Sequence, residues 1–279
     1  MRRFPLGRGF YVWHLYDCCG GNIDALIAHC HDHAIGWLAI KWLANKVGGK
    51  WVQQFTPDVV ARLKAAGIGV YGWHYDLPGQ ADAQADIVKA VCDADADGFI
   101  SDSEIEWDKD ATPDAHARAY GAAIAARGLR PDFLIAHAPF DVIAGHQNFP
   151  YTALGEFCDF VAPQMYWPEH GVSEVKSTAR ALIQWTSYRT KHPDACKELV
   201  PSGYSVQPDL AGGRMPTAAD LVHFEQTCAD AGCPAVLHWR FDGTPDSFWA
   251  GLKGTGYPAP ASLDTFVCPA DPDAAAPGC

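Results

Sequence analysis

Residues 96–110 read ADGFISDSEIEWDKD. An apolar entry through Gly98, Phe99 and Ile100 runs into Asp102, Glu104 and Glu106, spaced two apart. In an extended chain, side chains at i and i+2 share a face. Read as a strand over 98–106, the segment puts the three acids and Ile100 on one face. Ser101, Ser103, Ile105 and Trp107 fall on the other. Ionised groups buried without partners are costly, so the acids belong at the end of the strand, within reach of solvent or a ligand. Strand ends that converge on a mouth are the hallmark of parallel α/β architectures.

Working outward, the rest of the chain supplies the partners such a strand needs. Short apolar runs at 10–15, 37–43, 69–75, 98–106, 133–138, 160–167, 199–204 and 235–241 predict strands. Between them, 23–33, 57–66, 81–94, 113–127, 172–192 and 218–231 carry helical patterns. Thr56-Pro57 and Thr217 are start signals, and the glycines of AAGIG, ARGLRPD and DAGCPA are stop signals. Strands alternating with helices predict right-handed βαβ units, and eight of them close a (β/α)8 TIM barrel. A doubly wound open sheet is the alternative. YDCCGGN after the first strand lacks the G-x-G-x-x-G phosphate loop expected there. The barrel is assigned to residues 1–257. Residues 258–279, rich in Pro, Ala and Asp, are predicted to form an extended tail.

The 279 residues, 48% of them hydrophobic, are ample for one large core. A formal net charge of −12 argues against nucleic acid as a partner. Lys and Arg form no cluster suited to an anionic membrane, and no apolar run is long enough to span one. The opening MRRFPLGRGFYVW lacks the clean apolar stretch of a signal peptide. Ten cysteines are many for a reducing compartment. Release by lysis, or carriage in a virus particle, reconciles the two. Cys92 and Cys158 read as core residues, while Cys196, Cys228, Cys233, Cys268 and Cys279 lie in loop-like or terminal contexts where they could pair. The terminal Cys279 is placed for a disulfide to a protein partner through the tail.

Other strand ends add polar and aromatic groups. Lys41 ends the second run, His74 and Asp76 share a face at the end of the third, and His137 ends the fifth. Gln164 and Tyr166 share a face of the sixth, and Trp239 lies in the eighth. Aromatic faces stack on sugar C–H surfaces and fixed polar groups bind hydroxyls and amides, so the set points to a polysaccharide. Asp102 and Glu104 are the candidate catalytic pair. Tyr166, Gln164, Trp239, Asp76, Lys41 and Glu106 are the candidate substrate binders. Two residues i and i+2 on a strand hold their carboxyls at about 5–9 Å, a range used in glycoside hydrolysis. The longer Glu104 is assigned as general acid, its pKa raised by Asp102 and by the aromatic surroundings.

DGFISDSE is similar to the D-G-x-D-x-D-x-E strand of glycoside hydrolase family 18 chitinases. Asp97, Asp102 and Glu104 match, with Ile100 where the family has Asp. The opening GFYVWHLYDCCGGNIDAL resembles family 25 lysozymes in Gly9, Val12, His14, Asn22, Ile23 and Asp24. Lys41 matches that family's inward lysine, and Tyr11 replaces its Asp. The family 18 resemblance implies a substrate-assisted route, with Tyr166 and Asp102 holding an acetamido group. Together the resemblances imply a hydrolase for a β-1,4-linked amino-sugar polymer, peptidoglycan suiting the lysozyme-like features, and no cofactor. The replacements at Tyr11 and Ile100 leave a second reading: a non-catalytic barrel that binds glycan or serves a structural role, for instance in a phage particle. A third reading is metal binding in AHCHDHA, where His29 and His33 sit at i and i+4 on a helix. With no H-E-x-x-H and no third ligand, these residues read as a polar helix face.

Overall fold

The computed structural model describes residues 4–47, 50–169, 171–208 and 214–259. Its strands are β1 (Gly7–Val12), β2 (Ile35–Lys41), β3 (Leu43–Val47), β4 (Lys50–Gln53), β5 (Gly69–Asp76), β6 (Gly98–Ser103), β7 (Leu134–His137), β8 (Phe160–Val161), β9 (Ser202–Tyr204) and β10 (Ala235–Trp239). The helices are α1 (Ile23–Asp32), α2 (Pro57–Ala65), α3 (Ala81–Asp93), α4 (Ile105–Asp108), α5 (Pro113–Ala126), α6 (Tyr151–Gly155), α7 (Glu174–Lys191), α8 (Ala218–Asp230) and α9 (Asp246–Leu252).

Eight strands form one parallel sheet in the order β8-β7-β6-β5-β2-β1-β10-β9. Its two edges meet. Val161 bridges Leu199 and Gln164 bridges Ser202, both parallel, which closes the ring. The chain is a (β/α)8 barrel, as the alternation of runs predicts. The β3–β4 hairpin was not anticipated; it is antiparallel, pairs only with itself and leaves the barrel after β2.

Two expected strands are shorter than their apolar runs because of proline. Pro163 and Pro201 have no N–H to give the ladder. β8 therefore stops at Val161, with the bridge at Gln164 beyond it, and β9 starts at Ser202. The expected strand over 98–106 also stops early, at Ser103, and the chain turns into α4.

Side chains alternate between barrel interior and helix layer. Tyr11, Trp37, Ala39, Tyr71, Trp73, Ile100, Ala136, Phe160 and Leu237 fill the interior. Large rings need small partners. A Cβ on Gly9 would lie 2.2 Å from the Trp37 ring, and one on Gly98 2.6 Å from the Tyr71 ring. Helix starts are capped: Asn22 accepts from the Asp24 and Ala25 amides, and Thr217 and Asp220 form a reciprocal capping box on α8. Such caps contribute about 1 kcal/mol each.

Behind β1 and β10 lies a buried ionic cluster. Arg8 grips Glu225 of α8 through two bonds, of 2.6 and 2.7 Å, and His238 Nε2 sits 2.9 Å from Glu225 Oε1. Arg8 also donates to the carbonyls of His33 and Thr255, which ties the segment after α9 to the barrel.

Cys92 and Cys158 are buried, as expected. Cys196 and Cys233 lie in loops, as expected, but like Cys228 they are buried free thiols. Cys228 lies on α8, whose inner face packs on the barrel. Cys268, Cys279 and the tail beyond residue 259 lie outside the described residues. His29 and His33 stack on each other at 4.1 Å, and both pack against Trp249 of α9. Burial lowers His29 to about 4. Among the described residues, no helix is long and apolar enough to cross a membrane.

Candidate active site

Asp102 is the next-to-last residue of β6 and points into the barrel above Ile100. Glu104 follows as the N-cap residue of α4, and its carbonyl accepts from the Trp107 amide at 3.0 Å. Trp107, fully buried, donates from Nε1 to the Asp76 carbonyl at the end of β5. This anchor fixes the turn and with it the direction of Glu104.

The two carboxyls hydrogen-bond to each other. That is closer than the separation expected from strand geometry, because Glu104 has left the strand. Gln164, at the β8–β9 closure, braces the pair. Its Nε2 donates to Asp102 Oδ1 at 2.9 Å and to the Ala138 carbonyl at 3.0 Å, with Glu104 Oε1 at 3.5 Å.

Burial, then the charges of Glu104 and Asp76, push Asp102 well above the usual carboxylate range, while Lys41 pulls it back. Glu104 is raised too, chiefly by burial. The expected cause was Asp102, but its contact acts the other way and lowers Glu104. Each acid therefore bears on the other's protonation.

An aromatic wall faces them. Tyr11 and Trp73 are buried at its base, and Trp13, Tyr166 and Trp239 are half-buried above. Trp239 lies 5.5 Å from Tyr11, 5.2 Å from Trp13 and 5.5 Å from Trp73, centroid to centroid. Tyr166 lies 5.1 Å from Tyr204 and 6.4 Å from Trp239. Burial first, then Tyr11, Asp102 and Glu104, hold the Tyr166 hydroxyl neutral. Tyr11, where the lysozyme family has Asp, occupies the barrel interior, 5.5 Å from the Trp73 ring.

Lys41, Gln164, Tyr166 and Trp239 therefore gather with Asp102 and Glu104 at one end of the barrel. Asp76 does not. It faces the helix layer, fully buried, and accepts from the Tyr120 hydroxyl at 3.0 Å. Trp73 and Tyr75 are the inward residues of β5, so a direct bond from Asp76 to substrate is excluded. Glu106 reaches the rim by another route, as part of α4 and not of a strand, and accepts from the Tyr75 hydroxyl. Trp13, Trp73, Tyr75 and Arg240 were not among the sequence candidates. For Trp13, and for Trp73 and Tyr75, the signal was available in their parity with Tyr11 and Tyr71; Arg240, next to Trp239 and beyond the end of β10, carried none.

One His/Asp group among the described residues has ligand atoms close enough for a metal: His14, Asp17 and Asp242, within 4.8 Å of one another. Asp242 is already occupied there by the Trp13 amide at 2.9 Å and by Arg240 at 3.3 Å. A surface cleft of about 570 Å³ beside α5 and α6 contains neither Asp102 nor Glu104.

No family model and no curated protein matches the sequence. Solved structures do match in fold: this chain folds into a barrel similar to those of several solved glycoside hydrolases. Active domain 2 of the thermostable chitinase from Pyrococcus furiosus superposes with a TM-score of 0.63 at 13% identity, over 90% of this chain and 94% of that one. The PgaB (BpsB) glycoside hydrolase domain from Bordetella bronchiseptica gives 0.59 at 13%, over 88% and 96%. A GH18 chitinase from Pseudoalteromonas aurantia gives 0.58 at 13%, over 88% and 98%. The resemblance to family 18 thus extends to the fold. The lysozyme side rests on the sequence motifs alone.

Proposed function

We propose that the protein is a glycoside hydrolase acting on a β-1,4-linked amino-sugar polymer, with peptidoglycan as the expected substrate. The observation that carries this reading is the Asp102–Glu104 pair, both carboxyls within reach of the Gln164 amide beneath an aromatic wall. Glu104 is the acid nearer the rim. In its protonated form it donates to the departing glycosidic oxygen, with Asp102 ionised beside it to stabilise the developing charge.

The contact between the carboxyls bears on the route. Retaining and inverting enzymes that use two independent acids keep them about 5 Å or more apart, on opposite sides of the reacting carbon. A hydrogen-bonded pair sits on one side, so neither member is left to attack from the other. An acetamido oxygen on the substrate itself fills that role, with Asp102 and Tyr166 orienting the amide. Trp239 and Lys41 contact flanking sugars.

The test compares wild type with Glu104→Gln on purified peptidoglycan and on chitin oligomers. General acid catalysis contributes about 10²–10⁴-fold, so the variant should lose at least about a hundredfold of the turnover. A variant as active as wild type removes Glu104 from the mechanism.

A second reading is favoured by Tyr11 and Ile100, which stand where the resembled families carry acids. The barrel then binds glycan without cleaving it, as a structural or adsorption component. That reading requires saturable binding of a glycan that wild type never shortens.

A further inference from the structure

The mouth is electrically two-sided. Acids come from β6. Beyond β5, three neighbouring strands in the order β2-β1-β10 deliver a cation, an indole and a cation. Lys41 ends β2, Trp13 follows β1, and Arg240 follows β10. Lys41 Nζ lies 4.1 Å from the Trp13 ring centroid and 4.6 Å from that of Trp73. Arg240 Cζ lies 5.1 Å from the Trp13 centroid and 5.9 Å from that of Trp239.

We propose that this side of the mouth receives a carboxylate carried by the glycan, with Lys41 as its main cation, Arg240 as the second and Trp13 as the platform between them. The inference rests on the glycan site proposed above and names the class of glycan it prefers: an amino-sugar chain bearing acidic substituents.

Three observations carry it. First, Arg240 is partly neutralised by Asp242 at 3.3 Å, but among the described residues no carboxylate comes within ion-pair distance of Lys41 Nζ. Second, Lys41 is half-buried, and burial works against its charge, as does nearby Arg240. Asp102, Asp242 and Glu104 favour that charge only from beyond contact distance. A desolvated lysine held over indoles gains most from an incoming anion. Third, the chain carries 33 acidic residues against 21 basic ones, so two cations gathered at the mouth run against its overall balance. A neutral chitin chain makes no use of them.

The experiment measures binding rather than turnover. The Glu104→Gln chain is titrated calorimetrically with two tetrasaccharides of equal length. One is the neutral N-acetylglucosamine tetramer. The other alternates N-acetylglucosamine with N-acetylmuramic acid bearing free lactyl carboxyls. The acidic sugar should bind about tenfold tighter, the effect of one well-placed charge contact. The preference should shrink several-fold between about 50 mM and about 500 mM salt, since screening weakens such contacts. In Lys41→Met/Glu104→Gln, with its fold checked by circular dichroism, the ratio of the two Kd values should fall to near one. Equal affinity for both sugars overturns this inference and leaves the glycan site standing, as does a preference that survives both Lys41→Met and Arg240→Gln. If neither sugar binds, the glycan site falls and this inference with it. A lysine that serves only to tune the acids would shift the pH profile on both sugars alike and leave the ratio unchanged, which also overturns the proposal.

Discussion

Gln164 Nε2 lies 2.9 Å from Asp102 Oδ1. The same amide nitrogen reaches the Ala138 carbonyl, so both of its protons are committed to protein acceptors. Gln164 therefore holds the pair in place instead of offering this nitrogen to a substrate. Gln164→Leu should lower kcat by about 10–100-fold, the cost of a hydrogen bond to a charged group. Burial raises Glu104 and the Gln164 bond lowers it, so removing the bond should move the Glu104-controlled limb of the pH–rate profile to higher pH. An unchanged profile would show that the brace is not felt by the acids.

Asp76 supports a pH-dependent stability prediction. Burial raises it to about 7, against the hydrogen bonds from Ser101 and Tyr120. An acid raised in the folded state binds more protons there than in the unfolded chain. Its contribution to stability is full below its unfolded value of 3.8 and is lost as pH rises to about 7. Asp76→Asn keeps an acceptor for Tyr120 and carries no charge. Its melting temperature should exceed that of wild type, by a margin that grows from pH 4 to about 7 and then levels off. A margin constant with pH would refute the assignment.

The Arg8–Glu225–His238 cluster predicts a large structural effect. Burial opposes the Glu225 charge, but the bonds from Arg8 and His238 outweigh it and hold the carboxyl below its usual range. Glu225→Ala leaves Arg8 buried and uncompensated and should cost about 3–5 kcal/mol in urea unfolding. A depressed carboxyl contributes stability above its unfolded pKa and loses it as pH falls through its folded one, so this deficit should narrow on acidification.

Trp107→Phe tests the anchor under the catalytic turn. The lost Nε1 bond to Asp76 should cost about 1 kcal/mol of stability. Because Trp107 acts through Glu104, kcat should fall about tenfold with KM nearly unchanged, as expected for an interaction felt in the transition state. A rise in KM alone would point to a general loosening of the mouth.

Much of this architecture is legible in the sequence, because alternating apolar runs and helical patterns mark all eight barrel strands and the six longest helices. The hairpin was missed because its strands pair only with each other and never join the core sheet. The inward face of β5 was misjudged for a different reason. Both faces of a parallel strand are buried, so period-two alternation in GVYGWHYD does not say whether Tyr75 or Asp76 looks into the barrel. Glu106 was misplaced because the four residues of α4 are too few to show a helical period. Arg8 and Glu225 stand 217 positions apart, and only the ring that joins β1 to β10 makes them neighbours.

The closure between β8 and β9 has a mechanical consequence. Prolines 163 and 201 give this seam no amide donor, and Gln164 is both one of its stitches and the clamp on Asp102. Parting at the seam would carry the clamp away while the other strands stay joined, so gentle warming should abolish the proposed hydrolase activity before the far-ultraviolet spectrum changes.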